Sequence, residues 1–152
     1  MTNLRYRSYV QLRQSIDQLY HQQAVRLGLP DSVLWLVVSL YERGQACTPT
    51  ELYADCAMSK QTGHSALQWL EKRELIRLIP DDTDRRSKRA ELTAAGQELA
   101  DRCACSILEA EAGAFETLKT AEQETLLMLT EKIYLALKTE MDRLSPSGKG
   151  TI

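Results

Sequence analysis

The spacing of apolar residues changes from a helical period to a strand period at one place in this chain, and this limits its possible folds. At residues 75–79 and 88–92 the period changes from 3.6 to 2, which predicts two strands. The segment Pro80 to Ser87 between them is rich in turn-forming residues, so the strands are predicted to form a hairpin. The periodic segments on both sides have helical spacing. The predicted fold class is therefore mostly α with a small β-hairpin.

Two short helices with recognisable N-terminal signals precede the hairpin. Thr48-Pro49-Thr50-Glu51 is a capping box with proline at the first helical position, and it predicts a helix from Pro49 to Cys56. Ser59 can cap a second helix that runs to about Arg73. Two short helices joined by a tight turn form a helix-turn-helix, and a hairpin directly after the second is a wing. The sequence thus predicts a winged helix-turn-helix.

Longer helices flank this unit on both sides. On the N-terminal side, a segment of about 3–27 is stopped by Gly28, and an apolar helix begins at Pro30-Asp31-Ser32 and ends at Gly44. After the hairpin, one helix is predicted from a Thr93 cap to about Leu118, and the last from Thr120, with Gln123 as its capping-box partner, through Leu144.

The first and last helices are long for a winged helix-turn-helix and carry apolar stripes that need a partner. These stripes contain Tyr6, Val10 and Ile16 in the first helix, and Leu126, Leu129, Ile133 and Leu137 in the last. We therefore expect residues 1–28 and 119–144 to be dimerisation helices and 29–118 to be the winged helix-turn-helix region with a connecting helix. Residues 145–152 are predicted to be a disordered tail.

Composition and charge distribution limit the possible classes of function. The chain has 152 residues, enough to bury a core without disulfides, and a net charge of −2. That charge is unevenly distributed: residues 59–91 have eight bases against six acids, and residues 93–144 have five against ten. No signal peptide is apparent. The longest apolar stretch, Val33 to Leu40, is too short to span a membrane. We expect a soluble, cytoplasmic protein that meets phosphate with one region only.

The chain resembles the MarR family of winged-helix regulators from about Leu29 to Gly96. The motifs that carry the resemblance are Thr48-Pro49-Thr50-Glu51-Leu52, Ser59-Lys60-Gln61-Thr62, Leu67 to Leu75, Asp82 to Arg89 (DTDRRSKR), Leu92-Thr93 and Gly96. The resemblance implies a homodimer whose end helices intertwine and which binds a palindromic operator in double-stranded DNA. It also implies a repressor released by a small aromatic or phenolic ligand. No cofactor or metal is expected.

The second short helix and the wing are the predicted DNA-binding elements. Gln61 and Thr62 are expected to reach base edges, and Lys60 and Ser65 to meet phosphate. The full predicted set is Ser59, Lys60, Gln61, Thr62, His64, Ser65 and Gln68 in the helix, with Asp84, Arg85, Arg86 and Lys88 in the wing. One arginine of the wing tip is expected to enter the minor groove, and the resemblance implies that an aspartate, Asp84 by preference, braces an arginine or the wing backbone.

Gly63 departs from the family pattern, because the family usually has a larger side chain at this point of the recognition helix. A glycine there costs about 1 kcal/mol of helix stability relative to alanine. It is expected to allow close packing against the preceding helix or against DNA.

The resemblance also suggests an effector site. Tyr9, Arg13, Trp35 and Tyr41 would supply aromatic surfaces and one partner for an anion, although these residues can equally be core and interface residues. The cysteines (Cys47, Cys56, Cys103 and Cys105) are expected to be free thiols, because their spacing matches no zinc template. The alternative to a DNA-binding regulator is a winged-helix module that binds protein. An enzyme is disfavoured, since no catalytic constellation is evident.

Overall fold

Six helices and one hairpin account for most of the residues that the structure describes. The computed structural model describes residues 3–81 and 87–144. The elements are α1 (Leu4–Leu27), α2 (Asp31–Arg43), α3 (Pro49–Asp55), α4 (Lys60–Glu71), β1 (Ile76–Pro80), β2 (Lys88–Leu92), α5 (Ala94–Glu116) and α6 (Thr120–Leu144). The predicted order of elements and the predicted fold class are confirmed, with helix boundaries shifted by one or two residues. Among the described helices, none alone has the length and hydropathy to cross a membrane; α1 and α2 satisfy that test only as a pair bent by 93°.

The core is built around α2. Seven of its residues are buried, and the helix contacts α1, α3, α4 and β2. The nearly continuous apolar sequence of α2 explains its central position, because a helix that is apolar on all sides is stable only when other elements surround it. Leu52, Leu67, Leu70 and Ile76 complete the core from the elements that follow.

The hairpin is anchored to the loop before α3. β1 and β2 pair antiparallel from Ile76 opposite Leu92 to Pro80 opposite Lys88. Cys47 forms a further bridge with Ala90, in which each backbone N–H donates to the other's carbonyl at 3.1 and 2.7 Å. This bridge joins the base of the hairpin to the entrance of the helix-turn-helix.

The helix caps confirm one sequence prediction and correct another. Thr48 and Glu51 form the predicted capping box of α3, with both reciprocal bonds in place. The predicted Thr120–Gln123 box of α6 is wrong: Glu122 accepts from the Lys119 backbone N–H at 2.8 Å, so the cap lies one residue earlier. Gln123 instead donates to the carbonyls of Phe115 and Leu118. Lys119 has no hydroxyl group to complete a capping box, so only the carboxylate half of the pattern is present, and the loop contacts of Gln123 favour this register.

The chain separates into two compact units, Met1–Leu108 and Glu109–Ile152. The first contains α1 to α4, the hairpin and most of α5, whose buried residues include Leu99, Cys103 and Ile107. The second contains the end of α5 and all of α6, in which no residue is buried. The predicted functional division into dimerisation helices and a DNA-binding region remains a prediction.

Candidate nucleic-acid interface

The helix α4 has one apolar face and one polar face. Gly63, Ala66, Leu67 and Leu70 are buried against the rest of the first unit. The opposite face is exposed and carries the six predicted DNA-contact residues that lie within the helix: Lys60, Gln61, Thr62, His64, Ser65 and Gln68. The structure therefore brings these six side chains together on one solvent-facing surface.

The N-terminus of α4 is capped by Ser59. Its hydroxyl oxygen accepts from the Thr62 backbone N–H at 3.2 Å, and the hydroxyl donates to Thr62 Oγ1 at 2.9 Å. Ser65 donates its hydroxyl to the carbonyl of Gln61 at 3.0 Å. These local bonds fix the hydroxyl rotors, whereas the side chains of Lys60 and Gln61 make no hydrogen bond within the described residues. The longer side chains are the ones free to contact a ligand.

Gly63 is the point at which α4 lies closest to α3. A Cβ atom built at this position would lie 2.2 Å from Cδ1 of Tyr53 and 2.6 Å from two further ring carbons. Tyr53 is itself buried. Of the two explanations proposed for this glycine, the structure supports close packing against the preceding helix.

A cluster of charged residues holds α3 against α2. Asp55 accepts from Nε of Arg43 at 2.5 Å and from Nη2 at 3.0 Å, and the hydroxyl of buried Ser39 also donates to it, at 3.0 Å. The Arg43 guanidinium holds the pKa of Asp55 below its usual value, and Asp55 in turn raises the pKa of Arg43. The pKa of Glu51 is also lowered, chiefly by the bond from the Thr48 backbone N–H. This cluster was not predicted, because its members are polar residues on different helices.

A second ion pair fixes the base of the wing. Asp81 is buried and lies 3.3 Å from Nη1 of Arg89, while Nη2 of Arg89 donates to the carbonyl of Ala46 at 2.5 Å. The Asp81 carboxylate is thus paired where water has little access, while the Arg89 side chain is 32% exposed. Sequence reasoning expected an aspartate to brace the wing and preferred Asp84. The pair Asp81–Arg89 was missed, although the placement of Arg89 opposite Ile79 in the hairpin register could have suggested it.

The MarR family model matches residues 27–87, from the end of α1 into the hairpin. The winged helix of this chain belongs to the MarR family.

Solved structures agree on the fold over most of the chain. The S. aureus MepR–DNA complex has a TM-score of 0.73 at 19% identity, and covers 89% of this chain and 96% of its own. Bordetella bronchiseptica BpsR, whose DNA binding is regulated by 6-hydroxynicotinic acid, has a TM-score of 0.66 at 20% identity, with 88% and 97% covered. A probable transcriptional regulator from Pseudomonas aeruginosa has a TM-score of 0.60 at 28% identity, with 80% and 92% covered. No curated protein matches the chain significantly.

The wing is described only in part. Three predicted contact residues, Asp84, Arg85 and Arg86, lie outside the described residues. Lys88, the fourth, is exposed and lies opposite Pro80 at the start of β2. The contact surface of the wing that the structure describes is therefore limited to its base.

The four predicted effector residues have different surroundings. Tyr9 and Arg13 are exposed on α1, and Trp35 is half-buried with its ring centroid 4.8 Å from that of Tyr20. Tyr41 lines a cavity of about 220 Å³ between the end of α2, β2 and the start of α5. Its lining residues are Leu40, Tyr41, Gly44, Gln45, Ala46, Glu91, Leu92 and Gln97, so it includes none of the other three.

The cysteines of the chain are free thiols, as expected. Burial raises the pKa of Cys47 and Cys103, and raises that of Cys56 to about 11. Thiols with raised pKa values are poor nucleophiles at neutral pH, so these three are unsuited to a fast redox response. No group of three or more metal-ligating side chains occurs within residues 3–81 and 87–144.

Proposed function

We propose that this chain is a sequence-specific double-stranded DNA-binding transcriptional regulator that acts as a homodimer on a palindromic operator. The observation that carries the proposal is the exposed polar face of α4, held by a capped N-terminus and a buried apolar face. The MarR-family winged helix supports it, since this family consists of transcription regulators rather than enzymes. The MepR complex supports it further, because that protein binds DNA with the same fold.

The face of α4 suits the chemistry of the major groove. Gln61 can make paired hydrogen bonds to a base edge, and Thr62 can contact a base through its methyl group or hydroxyl. Lys60 extends from the first turn, where the helix dipole also attracts phosphate. The core of a protein-binding surface is typically enriched in Tyr, Trp, Phe, Met and Arg, and none of these is among the six predicted contact residues of this face. The composition of the face therefore favours DNA over the alternative of a protein partner.

The homodimer is proposed from the exposed apolar residues of the end helices. α1 exposes Leu12, Ile16 and Leu19, and α6 exposes Leu129, Ile133 and Leu137. One recognition helix reads only a few base pairs, whereas two related by a two-fold axis can contact half-sites about 34 Å apart. A dimer would both cover the apolar faces and supply the second recognition helix.

We further propose that the regulator is a cytoplasmic repressor released by a small aromatic or phenolic effector. The regulation of BpsR by 6-hydroxynicotinic acid supports an effector of this size and chemistry. The cavity beside Tyr41 joins the end of α2 to wing strand β2, so a ligand bound there could bias the position of the wing.

The test is to select duplexes from a random pool with the intact protein and to measure affinity for the selected and a scrambled duplex. Gln61→Ala should lower affinity for the selected duplex about tenfold and change the scrambled duplex little, because base contacts carry discrimination. Lys60→Ala should weaken both duplexes and reduce the salt slope by about one per subunit. Equal losses on both duplexes for Gln61→Ala would make it a positioning residue, and failure to enrich any sequence would refute the proposed function.

A further inference from the structure

The contact between Tyr53 and Gly63 occupies a critical position in the helix-turn-helix. The ring of Tyr53 lies where the side chain of residue 63 would otherwise be, with three ring carbons within 2.6 Å of an ideal Cβ. An ordinary contact requires at least 3.4 Å, so any larger residue at this position would have to move α4 or the ring by more than 1 Å. The pair thus defines how closely α4 approaches α3.

Tyr53 has little freedom to move away. Its side chain is 9% exposed, and its carbonyl accepts from the Met58 backbone N–H at 2.8 Å, which closes the turn between the two helices. Ala57 in that turn has a φ of 48°, in the left-handed region, so the turn has a restricted conformation. Asp55, two residues after Tyr53, is bound to Arg43 of α2. The ring is therefore fixed to a helix that is itself fixed to the core.

The exposed residues next to Gly63 are predicted DNA-contact residues, and the proposed base readers Gln61 and Thr62 are among them. Gln61 and Thr62 precede it, and His64 and Ser65 follow it. A displacement of α4 at residue 63 would move all four of these residues together. Hydrogen bonds to base edges tolerate only a few tenths of an ångström, whereas a long lysine side chain can follow a phosphate over a larger distance.

We propose that Tyr53 and Gly63 form a seat that positions α4 for base reading, and that Tyr53 determines DNA specificity without contacting DNA. This inference rests on the proposed function. It predicts that disturbing the seat reduces discrimination between duplexes more than it reduces overall attraction to DNA, because phosphate contacts are less sensitive to geometry.

The experiment measures affinity for the selected and scrambled duplexes with intact wild type and variants at one salt concentration. Gly63→Ala should lower the ratio of the two affinities at least tenfold while scrambled-duplex affinity changes less than threefold. The double variant Gly63→Ala with Tyr53→Ala should regain part of the lost affinity ratio. Its unfolding temperature should also be higher than that of Gly63→Ala alone. Tyr53→Phe, which keeps the ring, should match wild type, and Gly113→Ala is the matched control, because nothing described lies within 4 Å of that Cβ.

Tyr53→Leu provides a second approach should Gly63→Ala fail to fold, since it loosens the seat without adding an atom at Gly63. A folded Gly63→Ala or Tyr53→Leu variant that retains the wild-type affinity ratio would overturn the inference. If wild type itself shows no duplex preference, the proposed function and the specificity role both fail. The unfolding temperatures then still show whether the two residues are coupled.

Discussion

The winged helix and the last helix differ in how far their apolar side chains are buried. α2 to α4 and the hairpin pack apolar residues into a shared core, and within them the Arg43–Asp55 and Asp81–Arg89 pairs join separate elements. α6 has 25 residues, none of them buried, although leucine, isoleucine and methionine recur along it. Residues 109–144, the part of its unit that the structure describes, contain no comparable core.

This difference indicates that the two regions depend on different kinds of contact for stability. The winged helix can maintain its structure through contacts within the chain, which is what a rigid reading surface requires. An isolated helix gains most of its stability from packing an apolar face, so α6 needs a second surface to be stable in water. We expect substitutions in the winged helix to change folding, and substitutions in α6 to change assembly.

The largest effect is expected from Gly96→Ala. An added Cβ would lie 1.8 Å from the carbonyl oxygen of Leu75, which is fixed because it accepts from the Thr93 backbone N–H at 3.0 Å. This substitution should lower the free energy of unfolding by about 3 kcal/mol, measured by chemical denaturation. The control Gly113→Ala should be neutral or stabilising by up to about 1 kcal/mol. Equal stability of the two variants would show that α5 is not tightly packed against the hairpin.

A double substitution in α6, Leu129→Glu with Ile133→Glu, should affect assembly instead. Both residues are exposed in the single chain, so the substitutions cost little unless a second subunit covers them. The dimer dissociation constant should rise at least about 100-fold, or about 2.8 kcal/mol, in sedimentation analysis. Glu131→Gln with Lys132→Gln is the matched polar control. A wild-type monomer at micromolar concentration would contradict the proposed dimer.

A smaller effect is expected at the turn before the hairpin. Glu74 has a φ of 57°, a left-handed conformation that glycine adopts without strain. Glu74→Gly should therefore raise the free energy of unfolding by about 0.5–1 kcal/mol. Glu71→Gly, three residues earlier at the last residue of α4, should instead lower it, by up to about 1 kcal/mol. Destabilisation by both variants would mean that Glu74 contributes a contact that outweighs its backbone strain.

The smallest effect concerns the response to acid. The pKa of Asp55 is lowered in the folded chain, so the ionised carboxylate stabilises the fold above the unfolded pKa of about 4. This contribution is lost as the pH falls through the lower folded value. Asp55→Asn should therefore show a shallower decrease in unfolding temperature below about pH 4 than wild type, and Arg43→Met should show the same change. A wild-type slope in both variants would exclude a contribution of this ion pair, which solvent screens in part.

Local signals made the winged helix predictable. The capping box at Thr48, the glycine stops at Gly28 and Gly44, and the alternation in the hairpin depend on residues close in sequence. The face of α4 followed from its helical period alone. These predictions needed no knowledge of which elements pack together.

The supporting contacts could not be predicted in this way. The Arg43–Asp55 and Tyr53–Gly63 contacts depend on the angle between two helices. For Arg43 and Asp55, the sequence also offered several other residues of opposite charge. The cap of α6 was placed one residue late because Thr120 and Gln123 fit a capping box in sequence, whereas the helix already begins at Thr120. Packing between helices decides such cases, and a single sequence does not specify it.

The most direct test of the account measures association of intact, reduced, ligand-free protein with a selected duplex over a range of salt concentrations. If α4 and the wing contact DNA as proposed, affinity should fall steeply and linearly on a log–log plot against salt, and the scrambled duplex should bind more weakly at every concentration. Absence of salt-sensitive association with any duplex would contradict the assignment of α4 as a DNA-reading helix.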